Sequence, residues 1–148
     1  ILHQLDFRTD DGYGYFIYNQ YKLRGMIEEI TKKTLTGYHL STGRTLAHYN
    51  NAAQTKQSEK LNKTYDEDIL LVCEDDAADF TSERVILKTE YGETTPLKIK
   101  LTKKVQPKTL FVTFHHAGSR INALFGDKSD ELILTAAFKS VKVEVINC

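Results

Sequence analysis

Short apolar runs separated by polar turns make up most of the chain, and nearly all of them have the length and period of β-strands. Residues 69–73 form a continuous apolar run, the pattern of a strand that is buried on both faces. Residues 84–91 and 94–102 flank a glycine turn, and the second segment alternates apolar and polar side chains, so the pair predicts a β-hairpin. Residues 109–114 and 141–145 are two further predicted strands. The pattern favours a β-rich domain that is closed or nearly closed.

Helical patterns are fewer and shorter. Apolar side chains recur at three- and four-residue steps across residues 22–33, which predicts an amphipathic helix that packs through its apolar face. The same spacing in residues 117–125 predicts a short helix, and the polar residues 52–61 predict a short helix or an ordered loop. An aromatic run at 15–18 predicts a short strand, and the alternation at 38–41 predicts the end of another.

Three consecutive acids at positions 74–76 directly follow the apolar run of residues 69–73. Paired carboxylates can perform general acid–base catalysis. Carboxylates at the start of a helical turn also complement the positive end of the helix dipole. We interpret these acids as structural, and we expect no catalytic residue in this chain.

The composition is that of one domain without the footprint of a nucleic-acid or membrane partner. A chain of 148 residues with 41% hydrophobic content is long enough for one core. Twenty basic and twenty acidic residues give a formal charge of zero, so we expect neither nucleic acid nor an anionic membrane surface as a partner. No apolar run has transmembrane length, and we expect no membrane insertion.

Cysteine usage gives no disulfide framework and no metal-binding spacing. Cys73 lies in an apolar run and Cys148 is the last residue, so we expect no metal ligand from this chain. The lack of a disulfide framework and of a leader pattern slightly favours the cytoplasm. Because the chain begins with Ile1 rather than Met, we expect a piece of a longer protein or a processed chain.

The most distinctive stretch runs from Thr42 to Asn51. Gly43 follows a strand end and is predicted to permit a turn that a residue with a Cβ would resist. An arginine, an imidazole, a phenol and two carboxamides follow in close succession. This set suits an anionic ligand rich in heteroatoms better than a metal or a scissile bond. A polar loop that caps a barrel is the alternative interpretation.

Three segments resemble the C-terminal molybdopterin-dinucleotide-binding domain in the dimethyl sulfoxide reductase family of molybdenum and tungsten oxidoreductases. Residues 42–51 resemble a segment that often reads T-G-R followed closely by H-[WY]-H-[ST]-G. Residues 105–122 resemble a segment with P-F-H and a later Asn, and residues 137–139 resemble P-E-[YF]-K before the last strand. Three matches in the family's order make a specific signal. Residues 50–52 depart from the pattern, which has His, Ser or Thr, and Gly there.

The resemblance implies a fold, a cofactor and partners. The fold is mainly β with short helices, a six-stranded double-psi β-barrel over residues 37–148, with residues 1–36 as a lead-in segment packed on it. The cofactor is molybdopterin guanine dinucleotide with molybdenum or tungsten. The partners are the remaining domains of a parent oxidoreductase, which supply the metal's ligand, and electron-transfer subunits of the full complex.

The same resemblance maps the cofactor contacts onto the matched segments. The expected cofactor-binding residues are Thr42, Gly43, Arg44, Thr45, His48, Tyr49, Asn50, Asn51, His115, Asn122 and Lys139. Arg44 suits a diphosphate or a pterin acceptor, Asn122 can both donate to and accept from a pterin, and Lys139 offers a point charge.

Adjacent side chains on a strand point to opposite sides. Only one of His115 and His116 can therefore face a ligand, and the two cannot readily chelate one ion together. His115 aligns with the family's histidine, and we expect it to be the one that faces the ligand.

The sequence of residues 37–57 resembles formate dehydrogenase α subunits most, so formate is the expected substrate of the parent enzyme. The isolated chain is expected to be inactive. One alternative is a separate dinucleotide-binding subunit, such as that of formylmethanofuran dehydrogenase. An alternative from another class is a non-catalytic β-barrel interaction module.

Overall fold

The computed structural model describes residues 6–15, 20–32, 36–127 and 138–148. The chain separates into two compact units, Ile1–Thr34 and Leu35–Cys148. None of the helices in the described ranges is both long enough and apolar enough to cross a membrane.

The first unit contains one described helix. Helix α1 spans Gln20–Lys32, close to the predicted 22–33. Two members of its predicted apolar face are partly exposed, Leu23 at 43% and Ile27 at 53%. The predicted strand at 15–18 lies outside the described residues, apart from Tyr15, which is not in a strand. The packing of residues 1–36 on the domain stays a prediction.

The second unit consists of six strands with short helical segments between them. The strands are β1 Tyr38–Gly43, β2 Ile69–Cys73, β3 Arg84–Lys88, β4 Leu97–Thr102, β5 Thr109–Thr113 and β6 Ser140–Asn147. Helix α2 spans Glu59–Thr64, and 3-10 turns span Thr55–Gln57, Glu74–Asp79, Ala117–Ser119 and Ile121–Leu124. These elements confirm the strands predicted within this unit and the predicted short helix or ordered loop at residues 52–61.

The six strands close into a barrel in the order β1, β5, β2, β4, β3, β6. Strand β1 is parallel to β5, β2 is parallel to β4, and the other neighbouring pairs are antiparallel. The predicted fold class, a mainly β six-stranded double-psi barrel with short helices, is confirmed. Strands β3 and β4 form the predicted hairpin, although they pair directly only at Arg84 with Lys98 and Val85 with Leu97.

The barrel interior is filled by alternate side chains of its strands. The largest fully buried side chains are Leu40, Leu70, Leu87, Leu110, Leu124, Val72, Val85 and Val112. Strand β2 was predicted to be buried on both faces, and this is wrong: Leu70 and Val72 are buried, whereas Ile69 and Leu71 are only half-buried. The inner face of a closed barrel takes every second residue, and the outer face of β2 is only partly covered.

Two predicted helical segments take a tighter form. Residues 117–125 were predicted as one short helix, but two 3-10 turns occupy them, separated by Arg120 with a left-handed backbone (φ 55°, ψ 30°). The acids at 74–76 open the 3-10 turn that follows β2. Asp76 is buried and its Oδ2 accepts a hydrogen bond from the backbone N–H of Lys108 at 2.6 Å, in line with their structural interpretation.

Candidate functional site

The strand pairing brings distant segments to one end of the barrel. In the parallel β1–β5 pair Gly43 lies opposite Thr113, so the residues after both strands emerge side by side. Strand β6 runs antiparallel to β1 with Ser41 opposite Ser140, so the start of β6 lies at the same end. The three segments that carry the sequence motifs therefore meet there.

A cleft of about 290 Å³ lies at this end. The described residues that line it are Thr42, Arg44, Phe114, Asn122, Phe138 and Lys139. Four of them are predicted site residues from three separate segments of the chain. The two phenylalanines were not predicted, and they supply apolar surface to the cleft.

The polar groups of this cleft fall into two sets. Thr42 is buried, and its Oγ1 donates to the carbonyl oxygen of Phe138 at 2.6 Å, so it ties β1 to the start of β6. The side chains of Arg44, Asn122 and Lys139 are exposed and make no hydrogen bond or ion pair with any other residue that the structure describes. Their donors and acceptors are available to a ligand.

The prediction that Gly43 permits a turn is wrong. It lies within β1, and its φ is not in the left-handed region. A Cβ at this position would lie 2.6 Å from two atoms of the Phe111 ring on the neighbouring strand. A larger residue here would therefore require the Phe111 ring to shift.

His115 fastens both ends of the loop that follows β1. Its Nε2 accepts a hydrogen bond from the backbone N–H of Thr45 at 2.9 Å, and its Nδ1 donates to the carbonyl oxygen of Asn50 at 2.7 Å. These partners require the neutral ring with the proton on Nδ1. Burial lowers the pKa of the imidazole, which favours this neutral form. Both ring nitrogens are thus engaged within the chain.

His48 has a similar scaffolding position. It is buried, its Nδ1 and the Thr55 Oγ1 lie 2.8 Å apart, and its ring centroid lies 5.1 Å from that of His115. The two rings form the inner layer beneath the loop. No group of three or more histidine, cysteine or acidic side chains among the described residues is arranged to hold a metal ion.

The remaining predicted residues lie on the loop surface, outside the cleft. Tyr49 is 68% exposed and Asn50 is exposed, with a left-handed φ of 50°. Asn51 closes a local turn, because its Oδ1 accepts from the N–H of Ala53 at 3.2 Å. Ala52 is fully buried at φ 62°, a conformation that suits glycine. The family pattern has glycine at this position. The left-handed φ explains that preference, because glycine adopts it without strain.

The two adjacent histidines do point to different surroundings. His115 is buried beneath the loop, while His116 is partly exposed and its Nε2 lies 3.1 Å from the carbonyl oxygen of Tyr65. His116 also lines the clefts beside the one that holds Arg44. The geometry therefore gives His115 contacts with the loop backbone, and the expectation that it faces a ligand stays a prediction.

Sequence reasoning missed Asp68, the buried centre of the hydrogen bonds at this end of the barrel. Its carboxylate accepts from Thr113 Oγ1 at 2.5 Å, Ser119 Oγ at 2.5 Å, and the backbone N–H groups of His115 at 3.0 Å and His116 at 2.9 Å. In the sequence Asp68 is the last of three consecutive acids at 66–68, directly before an apolar run, and nothing there distinguishes it from its neighbours. Its role depends on the antiparallel β2–β5 pairing, which places the start of β2 beside the end of β5.

The sequence profile of the Molydopterin dinucleotide binding domain matches residues 38–142. The chain is 28% identical over 151 residues to the F420-dependent formate dehydrogenase subunit alpha of Methanocaldococcus jannaschii, covering 99% of this chain and 22% of the relative. It is 31% identical over 112 residues to the assimilatory nitrate reductase catalytic subunit of Bacillus subtilis, covering 73% and 16%. The F420-dependent formate dehydrogenase 2 subunit alpha of Methanococcus maripaludis is 28% identical over 152 residues, covering 99% and 22%.

Among solved structures, acetylene hydratase from Pelobacter acetylenicus is similar with a TM-score of 0.64 over 92% of this chain and 21% of that one. The sequence identity is 12%, so this likeness concerns the fold alone.

Proposed function

This chain belongs to the Molydopterin dinucleotide binding domain family, and we propose that it is the cofactor-binding part of a larger molybdenum or tungsten oxidoreductase. The chain spans 22% of the two formate dehydrogenase subunits and 16% of the nitrate reductase subunit. The metal's protein ligand and the residues that contact the substrate belong, in this proposal, to the rest of the parent enzyme. Electron-transfer subunits would be further partners.

The observation that supports this function most directly is the cleft in which the polar groups of Arg44, Asn122 and Lys139 have no partner among the described residues. A molybdopterin dinucleotide carries a diphosphate and a pterin with several donors and acceptors. Such a ligand requires cations for the phosphates and an amide that both donates and accepts for the ring. The residues in the cleft fit that group.

Each residue has a role that follows from its chemistry. The planar guanidinium of Arg44 can donate two parallel hydrogen bonds to a phosphate, and Lys139 adds a point charge. The amide of Asn122 can pair with both edges of a pterin, and Phe114 and Phe138 offer apolar surface to a planar ring. When bound, the cofactor supplies the redox-active metal, and these residues hold and orient it.

The loop of residues 44–51 is held in place before any ligand binds. His115 fixes Thr45 and Asn50, and Asp68 fixes the backbone of His115 from the other side. A binding loop that is ordered in advance loses less conformational entropy on binding. This arrangement supports the assignment of Thr45, His48, Asn50, Asn51 and His115 to the site as residues that position the loop.

We propose molybdopterin guanine dinucleotide as the cofactor and formate as the substrate of the parent enzyme. The two formate dehydrogenase relatives align with 99% of this chain, whereas the nitrate reductase aligns with 73%. Nitrate is the second candidate, because that relative has the higher identity, 31%.

The test of this function is the cofactor content of the full-length polypeptide that carries this chain. Acid hydrolysis should release guanosine monophosphate together with a fluorescent oxidised pterin, and elemental analysis should find molybdenum or tungsten. A purified, folded polypeptide that contains neither pterin nor guanine nucleotide would contradict the proposal.

A further inference from the structure

Arg120 has a backbone conformation that arginine seldom adopts. Its φ of 55° and ψ of 30° lie in the left-handed region, between the turns Ala117–Ser119 and Ile121–Leu124. For a residue with a Cβ this conformation is strained, and it persists only where the surroundings impose it. Such residues concentrate at functional sites, so the surroundings of Arg120 are informative.

The backbone on both sides of Arg120 is held by specific contacts. Ser119 is buried, and its Oγ donates to the Asp68 carboxylate at 2.5 Å. The N–H of Arg120 donates to the carbonyl oxygen of Ala117 at 3.2 Å, and the Arg120 carbonyl accepts from the N–H of Ala123 at 3.0 Å. The position of Arg120 on the barrel end is therefore fixed by the fold.

The side chain of Arg120 is held by none of these contacts. It is exposed, and its guanidinium makes no hydrogen bond or ion pair with a residue that the structure describes. It lines a second cleft, of about 170 Å³, together with Phe114, His116, Ala117, Ile121 and Asn122. No carboxylate is among the described residues that line this cleft.

The second cleft adjoins the first one. Phe114 and Asn122 line both, so Arg120 borders the same surface as Arg44 and Lys139. Three cations without an intramolecular partner among the described residues thus surround a continuous surface, and neither cleft has a carboxylate among its described lining residues. A site of this kind favours a ligand with more than one negative charge.

We propose that Arg120 is a further binding residue of the site, and that it donates its guanidinium fork to a phosphate of the bound dinucleotide. This inference rests on the proposed function and extends it to a residue outside the matched motif positions. The phosphate part is the partner because the planar guanidinium fork suits phosphate oxygens and because the cleft that Arg120 lines shares Phe114 and Asn122 with the cleft that holds Arg44. The second cleft continues the binding surface beyond the predicted residues.

The left-handed backbone makes an unusually clean test available. Glycine adopts this conformation without strain, so Arg120→Gly removes the guanidinium and should leave the folded state as stable as before or more stable. Arg120→Lys keeps the charge without the fork. The control is Lys100→Ala, which removes an exposed cation from β4, a strand that contributes no lining residue to either cleft.

The experiment measures cofactor release from the full-length polypeptide that carries this chain. Folding of each variant is checked by circular dichroism, and guanosine monophosphate and pterin are measured in the protein fraction over time after gel filtration. Arg120→Gly should release the dinucleotide about tenfold faster than the wild type, as expected when one charge-assisted hydrogen bond is removed. The release rate of Arg120→Lys should lie between those of the wild type and Arg120→Gly, and folded Lys100→Ala should release the dinucleotide at the wild-type rate.

The possible results distinguish the role of Arg120 from the proposed function, the binding of a molybdopterin dinucleotide. A wild type that carries neither pterin nor guanine nucleotide would overturn both. A loaded wild type with equal release from Arg120→Gly would overturn the role of Arg120 alone. Equal acceleration in Arg120→Gly and Lys100→Ala would overturn it too, because the effect would then be one of net charge. If Arg120→Gly does not fold, the release rate of Arg120→Lys decides, and a wild-type rate would again contradict the proposal.

Discussion

His115 Nδ1 donates a hydrogen bond to the carbonyl oxygen of Asn50 at 2.7 Å, and this contact closes the loop that leads away from β1. The other ring nitrogen accepts from the N–H of Thr45 at 2.9 Å, at the opposite end of the same loop. One buried imidazole therefore holds the segment that contains most of the predicted site residues, and it does so only in its neutral form.

Replacing His115 by Ala should affect the protein more than replacing His116 by Ala. The first change leaves the N–H of Thr45 without its acceptor and frees the carbonyl of Asn50, at a cost of about 1–3 kcal/mol. His116 makes one hydrogen-bond contact through its ring, to Tyr65. Denaturant unfolding and the cofactor content of the full-length polypeptide measure both effects. Equal losses, or a larger loss for the His116 variant, would contradict the assignment.

The stability of the barrel should fall in mild acid in a way that depends on His115. Burial lowers the pKa of its imidazole below the ordinary value of 6.5, so the unfolded chain binds a proton at higher pH than the folded chain. The contribution of neutral His115 to the free energy of unfolding is complete above pH 6.5, and it is lost as the pH falls through the pKa of the folded state. His48, His116, Asp68 and Lys56 lie around His115. They are unchanged in the His115→Ala variant, which is compared with the wild type.

The measurement is the free energy of unfolding of the wild type and of His115→Ala between pH 8 and pH 4. The difference between them should shrink as the pH falls below 6.5. A difference that stays constant over this range would mean that the proton on His115 is not coupled to folding.

A second hydrogen-bonded cluster lies at the opposite end of β1 and provides a control for the site. The hydroxyl of Tyr38 donates to Asp79 Oδ2 at 2.6 Å, and Lys108 Nζ donates to the same oxygen at 2.5 Å. Burial, and then the hydrogen bond to Asp79, raise the pKa of Tyr38 to about 12. Tyr38→Phe should destabilise the protein by about 1 kcal/mol and leave cofactor retention unchanged.

The alkaline titration tests the same cluster. A phenol whose pKa is raised in the folded state adds stability that is complete below pH 10 and is lost as the pH rises toward 12. Ultraviolet absorbance follows phenolate formation, and one tyrosine that titrates late in the wild type should be missing from Tyr38→Phe. If the titration curves of the wild type and Tyr38→Phe differ only in amplitude, the raised pKa of Tyr38 is contradicted.

The isolated 148-residue chain should be inert toward formate. Chemistry in the proposed enzyme takes place at the metal, and the described residues contain no group of side chains that could hold one. The purified chain, incubated with formate and a viologen dye and with no other protein, should reduce no more dye than the buffer control. Dye reduction by the purified chain would show that it is more than a cofactor-binding part.

The strands and the motifs could be predicted from sequence because both are local signals. Alternation in residues 94–102 and the apolar run at 109–114 depend on neighbouring residues, and three motif matches in order indicated the family. That Arg44, Asn122 and Lys139 share a cleft follows from the β1–β5 and β1–β6 pairing, which joins segments far apart in the chain. The residues alone could not predict that pairing, and the resemblance indicated only the barrel fold.

Other features were missed or misread from the sequence. The buried carboxylate of Asp68 looked like any acid before a strand, and its four partners come from residues 113–119. The left-handed backbone of Arg120 interrupts a segment whose apolar spacing predicted a helix, because tertiary contacts of Ser119 and Ile121 override local propensity. Gly43 was noted for the wrong reason, since its neighbour Phe111 lies on a strand distant in sequence.

The central claim is that Arg44, Asn122 and Lys139 hold the dinucleotide, and their unengaged side chains make it directly testable. Truncating any one of the three should weaken binding by about 1.5–3 kcal/mol, on the order of tenfold to a hundredfold, while the fold is kept because none of these side chains is buried. Lys100→Ala, an exposed cation on β4, is the charge-matched control for the two cation variants.

The deciding measurement is the metal and guanine-nucleotide content per polypeptide of Arg44→Ala, Asn122→Ala and Lys139→Ala in the full-length protein, with circular dichroism to confirm folding. We expect folded variants with strongly reduced content, and a Lys100→Ala variant that keeps the wild-type content. Folded variants of all three residues that keep full cofactor occupancy would contradict the account.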